Sequence, residues 1–154
     1  MTKINSDLYF YKGIQKISDV KEIEQKIEKD GDLVNGSYKF NDLLFTFLDI
    51  TDKDKDYNIF VTYLSLKFNK PKSKQIKTFQ SKFKEFFKDE ISATSGIKAI
   101  YNFEQDGVKV NISSSIPYKG EVNYTENIIH PVIEIMYSLY LELYLFFMQS
   151  EKDN

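Results

Sequence analysis

The stretch YNFEQDGVKVNI, residues 101–112, decides the fold, because its turn signal, its alternation and its charges all predict one β-hairpin. Asp106-Gly107 is typical of a two-residue hairpin turn. Around that turn, apolar residues would pair on one face of the hairpin and opposite charges on the other. The pairs that this register predicts are Gln105–Val108, Glu104–Lys109, Phe103–Val110 and Tyr101–Ile112. An antiparallel sheet is therefore expected.

Further strands are predicted upstream of this hairpin. Residues 43–50 are apolar on both faces, which is typical of an interior strand, and residues 58–68 alternate between apolar and polar side chains. The link of residues 49–57 is dense in Asp and Lys, so we expect a solvated loop there. The dipeptide Asn35-Gly36 predicts a tight turn between two short extended segments.

Three helices complete the predicted order. Apolar residues recur at helical spacing over residues 18–31, 71–91 and 128–149. In the first of these segments the recurring apolar residues are Val20, Ile23 and Ile27.

The predicted order is α-β-β(-β)-α-β-β-α, which indicates an α+β fold. Its two layers would be an antiparallel sheet and the helices packed on it, with a long C-terminal helix. A length of 154 residues is common for one domain, so residues 1–154 are expected to form a single domain. Residues 1–17 have mixed signals and could be loosely ordered.

The order of elements, the small size and the acidic balance are similar to those of bacterial secretion chaperones. This resemblance in layout covers most of the chain and rests on no diagnostic residue. It implies a chaperone-like protein-binding role, and it transfers no binding residues because a fold does not specify a function.

The composition disfavours most enzyme classes. The chain has no cysteine, which excludes disulfides, thiolate nucleophiles and cysteine-ligated zinc. His130 is the one histidine, and it stands beside Pro131 at the start of a predicted helix, where a polar residue caps the turn. The sequence contains no Gly-x-Gly pair, so it has no recognisable nucleotide-binding motif. We therefore expect no catalytic residues, no metal and no cofactor. Residues 1–6 lack the apolar core of a signal peptide, which favours the cytoplasm.

Two further patterns resemble functional motifs without completing them. Asp52, Asp54 and Asp56 imitate the first half of a calcium loop, but Tyr57 and Tyr63 stand where that loop needs Gly and Glu. A solvated hairpin loop is the preferred interpretation.

The serine run of residues 113–115 lies late in a predicted strand, with no general base near it in the sequence. Serine is ordinary on an exposed sheet face, so the run does not predict a nucleophile.

Lysine supplies all 21 basic residues, and it is concentrated in one segment. Residues 58–84 contain seven lysines and no acidic residue. Without arginine, base-specific DNA reading is disfavoured. Three interpretations remain for the lysine-rich segment 67–88: the solvated face of an amphipathic helix, a surface for an acidic protein, or a surface for nucleic acid or anionic lipid. The candidate partner-binding residues are Lys70, Lys72, Lys74 and Lys77.

The C-terminal helix is apolar over about three quarters of its circumference, which is wider than packing on one sheet requires. Either the other helices also cover it, or Tyr137, Tyr140 and Tyr144 face another chain. Glu134 and Glu142 lie within the apolar span and disfavour a membrane span.

Together these features favour a non-enzymatic protein-binding module of the chaperone, immunity/inhibitor or adaptor type. We expect it to self-associate as a homodimer. The alternative is a binder of nucleic acid or an anionic surface through residues 67–88. A carboxylate–lysine enzyme with a tyrosine-lined pocket is a third hypothesis, which no residue pattern supports.

Overall fold

The computed structural model describes residues 19–28, 33–52, 57–70, 76–118 and 128–152. They form a six-stranded antiparallel sheet with the order β1-β2-β3-β4-β6-β5, together with two helices. The predicted α+β class and the long C-terminal helix are confirmed. The elements are β1 (Val20–Glu28), β2 (Leu33–Phe40), β3 (Leu43–Asp52), β4 (Tyr57–Asn69), α1 (Ile76–Phe86), a π-helical turn (Phe87–Ile91), β5 (Lys98–Phe103), β6 (Gly107–Tyr118) and α2 (His130–Lys152).

One face of the sheet forms the core. Along β4, Phe60, Leu64 and Leu66 are buried, whereas the alternate residues Tyr63 and Ser65 are exposed on the opposite face. This is the period of two that a strand imposes on its side chains. Both helices lie on the buried face, and a fully buried Leu or Phe stabilises the fold by about 1.5–3 kcal/mol.

Aromatic rings join the two helices to each other and to the sheet. Phe147 of α2 stacks on Phe68 of β4, with 4.5 Å between ring centroids. Phe146 stacks on Phe86 of α1 at 4.6 Å. Phe83 of α1 is fully buried and lies edge-on to Tyr101, Phe103 and Phe146. The apolar stripe predicted for residues 71–91 therefore belongs to the core, although residues 71–75 lie outside the described part of the chain.

The predicted first helix is wrong, because residues 20–28 of the segment 18–31 form the edge strand β1. The spacing of Ile23 and Ile27 is four residues, an even number that fits a strand as well as a helix. Between Val20 and Ile23 a β-bulge adds one residue, with Glu22 at φ 52°, so their spacing of three also returns to one face.

The turn predicted at Asn35-Gly36 is also wrong, because both residues lie within β2. The β2–β3 turn instead contains Asn41 and Asp42, whose φ angles of 49° and 65° are both positive. A two-residue turn of this kind matches the twist of the flanking strands, and Asn and Asp tolerate left-handed backbone.

The link between β3 and β4 is shorter than predicted. The strands extend to Asp52 and resume at Tyr57, and Asp49, expected in a solvated loop, is fully buried within β3. Residues 53–56 lie outside the described part of the chain. Residues 1–17, for which the sequence predicted loose order, also lie outside it.

The predicted β5–β6 hairpin is present, but its register differs. Phe103 pairs with Val108 instead of Val110, and the expected pairing of Glu104 with Lys109 is absent. Because the difference is two residues, the apolar side chains remain on the predicted face.

The position of Gly107 explains this register. The turn is centred on Gln105 and Asp106, and the Glu104 amide donates to the Gly107 carbonyl at 2.8 Å. A Cβ on Gly107 would lie 2.2 Å from the backbone oxygen of Phe68 on the neighbouring β4. Glycine is required here by close strand approach, whereas the prediction assigned it to the turn itself.

Candidate protein-interaction surface

The C-terminal helix α2 is held on the sheet by one face. Pro131 occupies its first turn, where the missing backbone N–H costs no helical hydrogen bond. The residues that this face buries recur at intervals of three and four, as a helix packed on a sheet requires. They are Ile133, Met136, Leu139, Leu143 and Phe147.

The three tyrosines predicted to face another chain have different environments. Tyr137 is half-buried and lies edge-on to Phe40 of β2, with 5.8 Å between ring centroids. Tyr140 is also half-buried and stacks on Phe68 at 6.5 Å. Tyr144 lies 6.2 Å from Tyr140 and is exposed. Two of the tyrosines therefore anchor the helix to the sheet, and the third is presented to solvent.

The exposed side of α2 carries four large apolar side chains at i, i+3, i+4 and i+7, a spacing that places them on one stripe over two helical turns. We call this stripe the α2 ridge. Seven residues of helix give it a length of about 10 Å. Its members and their exposed fractions are Leu141 (42%), Tyr144 (46%), Leu145 (55%) and Met148 (39%).

Tyr144 is the one member of the α2 ridge that the sequence predicted. The signal that could have found the others was the width of the apolar arc, since a helix on one sheet buries a narrower stripe. The outer surface of the same helix also has a polar border, formed by the exposed residues Glu134, Ser138 and Glu142.

The apolar composition of α2 also satisfies the length and hydropathy requirements of a membrane span. The segment His130–Ser150 has a mean hydropathy of 1.4, and it is the one such segment within the described ranges. One face of this helix packs against the sheet and belongs to the core. Glu134 and Glu142 lie elsewhere on the helix and are exposed to solvent. The helix thus combines a buried apolar face with an exposed one.

Of the four lysine candidates, Lys70 and Lys77 lie in the described part of the chain. Lys72 and Lys74 lie outside the described part of the chain. Lys70 is half-buried, and its backbone amide donates to the Asp106 carbonyl at 3.1 Å. Lys77 is exposed on α1, whose stripe of phenylalanines packs against α2. This arrangement agrees with a solvated face of an amphipathic helix.

Lys67, at the start of the lysine-rich segment, is paired with acidic residues of the β5–β6 turn. Its Nζ lies 3.2 Å from Asp106 Oδ2 and 3.7 Å from Glu104 Oε2. The hydrogen bond to Asp106 raises the pKa of Lys67, and the same bond lowers the pKa of Asp106. Lys67 and Asp106 are exposed and Glu104 is half-buried, so the pairing orients the hairpin more than it stabilises the fold.

His130 and the Ser113–Ser115 run lie on different elements, His130 at the start of α2 and the serines in β6. The His130 Nε2 lies 3.1 Å from Glu134 Oε1. The His130 ring is edge-on to Phe40. Ser114 is buried and donates to the Gly96 carbonyl at 3.0 Å. In the portion of the chain that the structure describes, no three His, Asp or Glu residues group as metal ligands.

Among the described residues, the core contains a polar cluster around Tyr38 and Thr62 that the sequence did not predict. The Tyr38 hydroxyl and the Thr62 hydroxyl lie 2.7 Å apart, and Thr62 also donates to the Thr46 carbonyl at 3.2 Å. Burial raises the pKa of Tyr38 well above its ordinary value, and the hydrogen bond with Thr62 opposes this only partly. A neutral phenol is therefore built into the buried face of the sheet.

No protein-family model, curated protein or solved structure matches this chain. The functional conclusion therefore depends on the geometry and chemistry of the surfaces described above.

Proposed function

We propose that this protein is a non-enzymatic, cytoplasmic protein-binding module of the chaperone, immunity/inhibitor or adaptor type, and that it forms a homodimer through the α2 ridge. The observation that carries the proposal is the ridge itself: Leu141, Tyr144, Leu145 and Met148 are large, apolar, contiguous and exposed on a helix whose opposite face is core.

The spacing of these residues is that of a helix prepared for a helical or groove-shaped partner. Anchors at i, i+3, i+4 and i+7 are used when an amphipathic helix packs against another helix or into a groove. Isolated exposed apolar residues are common, but a contiguous apolar stripe marks an interaction surface. The ridge also contains a tyrosine, a residue type enriched at interfaces.

A second copy of the chain is the partner that fits the ridge most directly. Two ridges related by a two-fold axis in antiparallel orientation would place Leu141 of each copy beside Met148 of the other. Tyr144 and Leu145 would then meet near the axis. The ridge carries no charge, and the net charge of the chain is only −2, so repulsion between copies is weak.

Size-exclusion chromatography with light scattering tests the proposal. We expect the wild-type protein to be a dimer and Leu141→Lys to be a monomer, because two ammonium groups would be placed in an apolar contact. Ile135→Lys is the matched control, since Ile135 is equally exposed on the same helix (41% against 42% for Leu141) but lies off the ridge.

Circular dichroism establishes that each variant is folded. Tyr144→Ser should also weaken the dimer, whereas Tyr140→Ser would disturb the stacking on Phe68 and is a poorer test. A monomeric wild-type protein, or a dimer that Leu141→Lys and Ile135→Lys affect equally, would contradict the homodimer.

A further inference from the structure

The face of the sheet opposite the helices contains a trough across β4, β6 and β5. Two rows of outward-pointing residues lie side by side here, one residue from each strand per row. The first row is Tyr63, Ser113 and Lys98, and the second is Ser65, Asn111 and Ile100. The trough is on the face remote from the α2 ridge, so what it binds is a separate question from dimerisation.

Side-chain size produces the trough. The central strand β6 contributes the short side chains of Asn111 and Ser113, which form the floor. The longer side chains of Tyr63 on one side, and of Lys98 and Ile100 on the other, form the walls. The trough is open to solvent on one side and has a volume of about 250 Å³, just below the range of about 300–1,000 Å³ typical of small-molecule sites. The space suits a ligand of a few carbon atoms.

The polar groups of the trough favour an anion. Ser65 Oγ donates to Asn111 Oδ1 at 2.8 Å, which engages the amide oxygen and leaves the two N–H donors of that amide to face a ligand. Lys98 is exposed on the neighbouring strand, diagonal to Asn111, at a separation that a long side chain spans. Among the described residues that line the trough none is acidic.

The remaining walls are apolar. Ile100 is 54% exposed, and the ring of Tyr63 is exposed on the other side of the floor. On a strand, an isoleucine this exposed is available to cover an aliphatic chain, and its contact would remove apolar surface of both partners from water.

We propose that this trough binds a small carboxylate with a short apolar chain. The carboxylate accepts hydrogen bonds from the Lys98 ammonium and the Asn111 amide, and the chain lies over the floor between Ile100 and Tyr63. Ser113, the first residue of the serine run, serves as the short floor residue on which the trough depends. Charge complementarity assigns the ligand, since Lys98 would repel a cation and would make a weaker hydrogen bond with a neutral amide than with a carboxylate.

The experiment is a titration of ¹⁵N-labelled wild-type protein with hexanoate, followed by two-dimensional amide spectra. We expect saturable shifts at Lys98, Ile100 and Asn111, with a dissociation constant of about 1 mM for a ligand this small. Hexanamide, which has the same chain and no charge, should bind about fivefold to tenfold more weakly.

Lys98→Gln should weaken hexanoate binding by about the same factor, because it removes the charge while preserving most of the side chain. Lys109→Gln is the matched control, because Lys109 points to the same face of the sheet from the adjoining row, outside the trough. Its loss should change the affinity for hexanoate by less than about twofold, since an exposed charge that does not contact the ligand contributes little binding energy.

Hexanamide binding as tightly as hexanoate, or equal effects of Lys98→Gln and Lys109→Gln, would overturn the proposal. So would shifts confined to α2, which would indicate an apolar ligand on the ridge. Absence of shifts at about 20 mM hexanoate, well above the affinity expected for this size, would overturn it as well.

Discussion

Replacing Gly107 by alanine should strongly destabilise the protein, for a reason specific to the observed register. The new Cβ would lie 2.2 Å from the backbone oxygen of Phe68, where ordinary contact begins at 3.4 Å. Because this neighbour is backbone, β4 and β6 must separate by about 1 Å for the contact to relax.

The separation would weaken hydrogen bonds that converge on the turn. The Lys70 amide donates to the Asp106 carbonyl at 3.1 Å, and Gly107 pairs with Asn69 in the sheet. With about 0.5–1.5 kcal/mol for each bond and further strain in the strands, we expect a loss of about 2–4 kcal/mol in the free energy of unfolding.

Urea unfolding followed by circular dichroism measures this loss, since the chain has no tryptophan for fluorescence. Gly96→Ala is the control: Gly96 has φ +79° and no atom within 4 Å of the added Cβ, so only backbone strain of about 1 kcal/mol is expected. If Gly107→Ala costs no more than Gly96→Ala, the close approach of β4 does not require glycine, and the reasoning about the register is refuted.

Two other predictions concern the buried phenol and the lysine-rich segment. Burial raises the pKa of Tyr38 above its ordinary 10.0. Above about pH 10 the unfolded chain therefore binds fewer protons than the folded one, and the free energy of unfolding falls as the pH rises further. Tyr38→Phe should cost about 1 kcal/mol at neutral pH through loss of the Thr62 hydrogen bond, yet flatten that fall; parallel pH profiles in urea unfolding would contradict this. For residues 67–88, we expect purified protein to show no 260 nm absorbance that salt removes; nucleic acid that dissociates steeply with salt would instead identify this segment as the functional surface.

Predictions from the sequence were correct where the spacing of apolar residues along a single helix or strand was enough to identify that element. The alternation of residues 58–68 correctly indicated β4, and the stripe that includes Phe79 and Phe83 correctly indicated the buried face of α1. When one face of a helix or strand is buried along its whole length, its apolar residues recur at the period of that element. Such a pattern can be recognised in the sequence without knowing the neighbouring elements.

Predictions failed where two elements had to be known together. The spacing in β1 satisfies a helix and a bulged strand equally, and only pairing with β2 shows that the bulge at Glu22 is present. Asn35-Gly36 is a sound local turn signal that the pairing of β2 with two neighbours overrides. The hairpin register depends on Gly107 approaching β4, a strand that ends 38 residues earlier at Asn69.

The candidate surfaces divide in the same way. That α2 has more apolar surface than one sheet can cover was evident from the sequence, and it pointed to Tyr144. Which side chains remain exposed depended on where the helix is seated, and this added Leu141, Leu145 and Met148 to the surface.

By itself the sequence determined the α+β class, the long C-terminal helix, the buried faces of α1 and β4, and an excess of apolar residues on α2. Tertiary structure decided the β1 strand, the hairpin register and the trough opposite the helices. The physical reason is that periodicity records how a segment meets the core as a whole. The trough, by contrast, depends on Tyr63, Lys98 and Asn111 becoming neighbours, which only the pairing of β4 and β5 with β6 brings about.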